Sequence, residues 1–363
     1  MLMILVSKPY MPNLDLINKY LSQVHERSWI TNNGPLVREL TSVLQDYLGV
    51  KNLILTANGT LALQLAYKAL RIKGEALTTP FTFVATASSM KWQGITPRFC
   101  DIEPDTLGLC PQAVKEAFTP NTKAIVPVHV YGNPCNVEKF EDLSEDMKVP
   151  VIYDASHTFS IKYKGQSILN RGDASTISFH ATKLFHTVEG GGIVFKDDEV
   201  FERARLMLNF GLGENAEDIV APGINAKMSE VHAAYGLSVL HSIDEILSER
   251  AEVLSYYHQG LNGVVELPRW REGATQNAAY APIIMDSENQ CLKVLESLKK
   301  VGVVARRYFY PSLHHTSEYK SDWNDSCKNV TGIANRVICL PLYPGLEKHD
   351  VANIVEAVKE GCQ

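Results

Sequence analysis

A mainly parallel α/β sheet covered by helices, followed by a smaller α+β domain, is the fold class this sequence predicts. Two observations predict it: short β-rich runs alternate with longer helical patterns through the first part of the chain, and the texture then changes. With 363 residues and 45% hydrophobic content, the chain is long enough for one large core and a second, smaller one. A mixed, mainly parallel seven-stranded sheet is expected, with strands at 52–56, 76–79, 97–101, 124–130, 151–155, 176–179 and 192–195. Between them, 60–70, 83–92, 112–118 and 137–147 carry apolar residues at helical spacing. The stretch 229–260 contains no proline and reads as one long helix. Beyond it, β-like runs at 264–267, 281–285 and 303–309 and a helix at 290–300 compose the α+β unit. The expected division is a large α/β domain over 1–240 and a small domain over 241–363.

Composition excludes several function classes. A net charge of −6 and the lack of a clustered basic stripe argue against nucleic acid as a partner. Seven cysteines are scattered with no CxxC spacing and no even count, which fits reduced thiols in a cytoplasmic protein. The apolar start, Met1 to Val6, is too short for a signal peptide, and no later run is long enough to span a bilayer, so no membrane association is expected. His314 and His315 have no acidic neighbours at ligand spacing, so no metal site is expected.

The most informative run is SFHATK at 178–183, downstream of the apolar strand that ends in Asp154. A buried strand delivering a carboxylate, followed by a lysine on a tight polar loop, is what pyridoxal 5'-phosphate chemistry requires. The carboxylate keeps a proton on the pyridine nitrogen, and the lysine amine bonds the aldehyde. Lys183 is followed by a glycine-rich EGGG at 189–192. Held between a packed strand and that loop, its amine pKa falls toward neutrality. Asp154 leads into Ala155, Ser156 and His157, a polar group able to lie against the ring hydroxyl. Asn58, Gly59 and Thr60 stand where a strand meets a helix, which suits either a phosphate cradle or a plain helix cap. Ser178 and His129 are open in the same way, each fitting a structural role as well as a place at the site.

In order along the chain, WITNNGP (29–35), NGTLAL (58–63), PFTFVAT (80–86), PVHVYG (127–132), DASH (154–157), SFHATK with EGGG, and GINAKM (223–228) resemble the DegT/DnrJ/EryC1/StrS family of sugar aminotransferases. These are fold type I pyridoxal-phosphate-dependent transferases, and the likeness runs over nearly the whole chain. It implies that Lys183 bonds the cofactor and Asp154 pairs with the ring nitrogen. It places Phe83 on the ring face and His157 beside the ring hydroxyl. Gly59, Thr60 and Ser178 hold the phosphate, and Asn225 reaches it from the neighbouring subunit of a homodimer. Two positions depart from the family's pattern: Lys227 stands where arginine is frequent, and Asn58 where serine is common.

The resemblance further implies amino transfer from glutamate to a nucleotide-linked ketosugar. The SFHATK form and the tract from Arg306 to Pro311 look like members acting on dTDP-linked 4-keto-6-deoxyhexoses, which favours amination at C4 over C3. Relatives that remove a sugar hydroxyl carry histidine at the position of Lys183, so a dehydratase is disfavoured. A non-enzymatic cofactor sensor would need an output module for which the sequence leaves no room.

Overall fold

The computed structural model describes residues 3–213, 218–320 and 326–363, leaving the first two residues of the apolar amino-terminal run outside it. Seven strands form the central sheet: β1 (Leu53–Thr56), β2 (Glu75–Thr78), β3 (Thr96–Phe99), β4 (Thr122–Val126), β5 (Ile152–Asp154), β6 (Ala174–Ser178) and β7 (Gly191–Phe195). Hydrogen bonding orders them β1-β7-β6-β5 and β4-β2-β3. Parallel bridges Ile125 to Val151 and Val128 to Asp154 join the two groups into one sheet. Only β7 runs antiparallel to its neighbours. The mainly parallel sheet expected from the sequence is therefore present, with strand ends shifted by a few residues. Apart from the edge strand β3, its strands are nearly continuous buried runs because helices cover both faces.

The helix Gly59–Ala69 packs its buried Ala62, Leu63, Ala66 and Tyr67 on this sheet. On the opposite side lie Pro35–Leu48 and Glu230–Leu240. Their Leu36, Leu40, Leu44, Ala233 and Leu237 share a core with Leu53, Leu55 and Ile177. The single helix expected over 229–260 is two helices, Glu230–Leu240 and Ile243–Gly260. The chain turns at His241 and Ser242, and both Ile243 and Ile246 are buried just after the turn.

A buried carboxylate anchors this layer. Glu230 is 1% exposed, and its two oxygens accept from the Leu36 and Val37 amides at 2.8 and 2.9 Å, at the start of Pro35–Leu48. Those amides have no partner within their own helix, and the helix dipole favours an anion there. Gly34 makes room, since a Cβ would stand 2.5 Å from the Glu230 carboxyl carbon. Glu230→Ala should cost about 2–3 kcal/mol by orphaning two buried donors. A urea unfolding midpoint that does not move would refute this capping role.

The carboxy-terminal part has a core of its own, built by Leu254, Tyr257, Ile283, Leu298, Ile338 and Ile354. Its expected strand at 281–285 is Ala281–Ile284, and it pairs antiparallel with Val337–Leu340, which no local signal had marked. The run at 264–267 makes only an isolated bridge, Glu266 to Ile284. Of 303–309, only Val303–Val304 is a strand, and its parallel partner is Ile4–Leu5.

Candidate active site

The residues singled out by sequence gather at the carboxyl ends of the parallel strands, where open α/β sheets place their ligands. β5 ends in Asp154, which is 5% exposed. Thr86 donates its hydroxyl to Asp154 Oδ2 at 2.7 Å. Ser156 donates its hydroxyl and its amide to Oδ1, at 2.6 and 3.2 Å. Thr86 is braced in turn by Thr82 at 2.8 Å. Three donors thus fix the direction of a buried carboxylate.

Lys183 follows the end of β6 on a loop stabilised by its own amide bonding to the His180 carbonyl. Its amine pKa is lowered from the usual lysine range to about 8, because burial disfavours the charged form more than nearby Asp154 favours it. At that value about one tenth of the side chain is free amine at pH 7, against less than about one thousandth for an ordinary lysine. Its Nζ stands 3.5 Å from the Tyr280 hydroxyl.

His157 is buried, and its Nδ1 accepts from the Tyr131 amide at 3.1 Å. Burial, then Lys183, then His129 push its pKa well below the ordinary histidine value, so the ring is neutral. With Nδ1 accepting, the ring proton sits on Nε2, 3.3 Å from the Tyr280 hydroxyl. His129 lies behind, stacked on Tyr153 at 4.6 Å, its Nδ1 accepting from the Cys135 amide at 3.0 Å. Its Nε2 is buried without a partner, and burial holds its pKa near 3.

Gly59, Thr60 and Ser178 form a second cluster, where Gly59–Ala69 begins. Asn58 caps this helix by accepting from Leu61, leaving the amides of Gly59 and Thr60 at its open end. A Cβ on Gly59 would lie 3.1 Å from that of Ser178, so the two loops touch. Gly191 presses in beside them, and a Cβ there would sit 2.7 Å from the carbonyl carbon of Asn58 and the nitrogen of Gly59. The glycine run after Lys183 is needed for that approach.

Phe83 behaves unlike its neighbour. Phe81 is fully buried, whereas Phe83 is 61% exposed, one turn before Thr86. Core packing, the ordinary fate of such an aromatic, therefore does not account for it. Asn225 is also exposed, on a segment whose Ala226 carbonyl accepts from Ala57 at 2.8 Å. Lys227 bonds Asn209 at 2.7 Å within the same chain. Of the two arginines near the carboxy-terminal strands, Arg307 is committed to structure, bonding Glu288 and the carbonyl of Asn335.

Ser156, grouped by sequence with His157 against the ring hydroxyl, instead donates to Asp154, and sequence reasoning passed over Thr86, Tyr131 and Tyr280. The first two lie inside quoted motifs, but their contacts with Asp154 and His157 are tertiary. Tyr280 lies in QNAAYAP, which has no motif, 97 residues from Lys183.

This geometry agrees with the comparisons to known proteins. The profile of the DegT/DnrJ/EryC1/StrS aminotransferase family matches residues 14–359. A dTDP-4-amino-4,6-dideoxy-D-glucose transaminase of Shigella dysenteriae is 39% identical, with 98% of each chain covered. One of the same name from Escherichia coli is 35% identical, covering 97% of this chain and 96% of its own. The solved structure of DesI in the presence of its TDP-sugar product superposes with a TM-score of 0.94 at 30% identity, covering all of this chain and 93% of that one. With the family signature, the α/β fold and the strand-end lysine and aspartate in agreement, the chain belongs to the DegT/DnrJ/EryC1/StrS aminotransferase family.

Proposed function

We propose that this chain transfers an amino group from glutamate to the C4 keto group of a dTDP-linked 6-deoxyhexose, with pyridoxal 5'-phosphate as its cofactor. The observation that carries the reading is the Lys183 amine, poised near pH 8 beside the triply held Asp154 carboxylate. The two curated relatives named above as dTDP-4-amino-4,6-dideoxy-D-glucose transaminases supply the substrate class.

The residues present fit the cofactor. Bare backbone at Gly59 and Gly191 around an open helix start suits its phosphate, with the Thr60 and Ser178 hydroxyls beside it. Asp154 is aimed by donors on both oxygens and would hold a proton on the ring nitrogen. The exposed ring of Phe83 would cover one face, and neutral His157 would stand beside the ring hydroxyl. When bound, the cofactor supplies an electron sink that stabilises negative charge at the carbon losing a proton.

The chain's own part is proton handling and positioning. Lys183, once free, takes the α-proton of the amino donor in the first half-reaction, and in the second it gives a proton to the sugar carbon that becomes amine-bearing. It must be the neutral amine to accept that proton. The rate of the donor half-reaction should therefore rise through about pH 8 and level above it, following the lysine titration. A profile flat from pH 6 to 9 would contradict this.

A homodimer completes the reading. Phe83, Trp92, Phe210 and Ile224 are all exposed apolar side chains, and Trp92 is 85% exposed. Phe210 donates its amide to the Ile224 carbonyl and Trp92 lies across one pocket from Ile224, next in the chain to Asn225, whose proposed task is to reach the partner's phosphate site. All seven cysteines are free, as in a reducing cytoplasm. Among the described residues, no helix is long and apolar enough to cross a membrane.

The test is incubation with purified 4-keto and 3-keto dTDP-sugars and ¹⁵N-glutamate, with products read by NMR. Label at C4 supports the proposal, and turnover of the 3-keto compound alone rejects it.

A further inference from the structure

Tyr280 stands between His157 and Lys183, and buried polar side chains hold it there. Its hydroxyl lies 3.3 Å from His157 Nε2 and 3.5 Å from Lys183 Nζ. Its ring packs at 4.7 Å from His157, 5.5 Å from Tyr131 and 5.7 Å from Tyr308. The backbone before it is clamped twice. Arg250, 5% exposed, donates from Nε to the Ala278 carbonyl and from Nη2 to that of Ala279, both at 2.9 Å. Asn277, 3% exposed, donates to the carbonyls of His157 and Phe159, both at 2.9 Å. Ala278 between them takes a φ of +49°, a conformation that alanine adopts only under constraint. Arg250 makes no ion pair with a described carboxylate, and its buried guanidinium is held by the two carbonyls just before Tyr280.

The direction of hydrogen bonding is set from one end. The Tyr131 amide donates to His157 Nδ1, which leaves the His157 proton on Nε2 to be donated to the Tyr280 oxygen. The phenol's own proton then has one acceptor at hand, the lone pair of the Lys183 amine. Donors aligned head to tail polarise one another. A proton aimed at that lone pair favours the free amine over the ammonium.

We propose that Tyr280 is a further residue of the reaction: its phenol, set by Arg250 and Asn277 and oriented by His157, holds the Lys183 amine in its proton-accepting form. The inference rests on the reading of Lys183 given above, but it concerns the amine's own surroundings and is measurable without cofactor. The other titratable groups facing this pair do not compete for the role. Asp154 faces Lys183 as an acceptor, and its charge favours the ammonium. His129, behind His157, is held neutral by burial. Burial likewise keeps Tyr131, Tyr308 and Cys339 in their protonated, uncharged forms, and Arg250 stays charged.

The experiment is trace acetylation of Lys183 in the full cofactor-free chain across pH 6–10, quantified by peptide mass spectrometry. Wild-type protein should show a midpoint near 8. Tyr280→Phe keeps the ring and removes only the oxygen. Its midpoint should rise by about one unit, so that the reactive fraction at pH 8 drops from about one half to about one tenth. Tyr308→Phe removes a hydroxyl from the same aromatic cluster but away from Lys183, and should leave the midpoint in place. An unchanged midpoint in Tyr280→Phe, or an equal rise in Tyr308→Phe, overturns the proposal. A second measurement stands apart from any variant: ¹⁵N NMR of His157 in the wild-type chain should report the Nε2–H tautomer from pH 6 to 9. A proton on Nδ1 would break the chain of donors and overturn the proposal too. Borohydride trapping of cofactor on Lys183 tests the functional reading separately, so either can fail alone.

Discussion

Lys183→Ala should abolish amino transfer, lowering the single-turnover rate of the donor half-reaction by on the order of 10⁴-fold or more. The lysine is asked both to anchor the cofactor and to move a proton between carbons, and no other described amine is placed to substitute. Lys227, the other lysine of the quoted motifs, is bonded to Asn209 on a different segment. The loss should be nearly all in turnover, because nothing in the arrangement makes Lys183 a sugar-binding contact. Folding should be little affected, since removing a desolvated amine relieves an unfavourable burial. Rapid-quench measurement with saturating glutamate is the check. A residual rate within tenfold of wild type would remove the basis of the mechanism.

Asp154→Asn is the second large effect, at about 10³-fold in turnover. Asparagine preserves volume, yet its amide nitrogen donates where the carboxylate accepted. One of two things then happens. Either the amide NH₂ replaces Oδ2 and meets the Thr86 donor, or it replaces Oδ1 and meets the Ser156 donors, and in neither flip is a charged oxygen left to hold the ring proton. In both cases the electron sink is weakened, while the phosphate cluster around Gly59 and Ser178 is untouched. Cofactor affinity should therefore fall much less than turnover, which separates this variant from one that merely fails to bind. Asp154→Asn with unaltered turnover would show that the carboxylate has some other task.

Much of this was legible in the sequence, and the parts that were not share a cause. Apart from the edge strand Thr96–Phe99, the sheet strands are largely buried, so most read as short β-rich runs between helical patterns. Asp154, Lys183 and the glycines were readable because strand ends and tight loops carry strong local constraints. The helix break at 241–242 was not, for neither proline nor glycine marks it, and only the burial of Ile243 and Ile246 enforces it. Helices Leu14–Arg27 and Pro35–Leu48 went unremarked although Asn13 caps the first and Pro35 opens the second. Val337–Leu340 is four residues long and gains its meaning only from a partner more than fifty residues earlier. Phe83 was picked out by the family pattern alone, and only coordinates distinguish it from buried Phe81. Tyr280 is the extreme case, since its contacts are wholly tertiary.

The parallel pairing of Ile4–Leu5 with Val303–Val304 bears on how the polypeptide is made. Ile4–Leu5 leaves the ribosome well before its companion, which is translated some three hundred codons later, an interval of about 15–60 s at ordinary elongation rates. Until then that short strand has no native seat, and its apolar side chains stay open to chaperones. Closing that seam is a late stitch, made only after Val304 has been added.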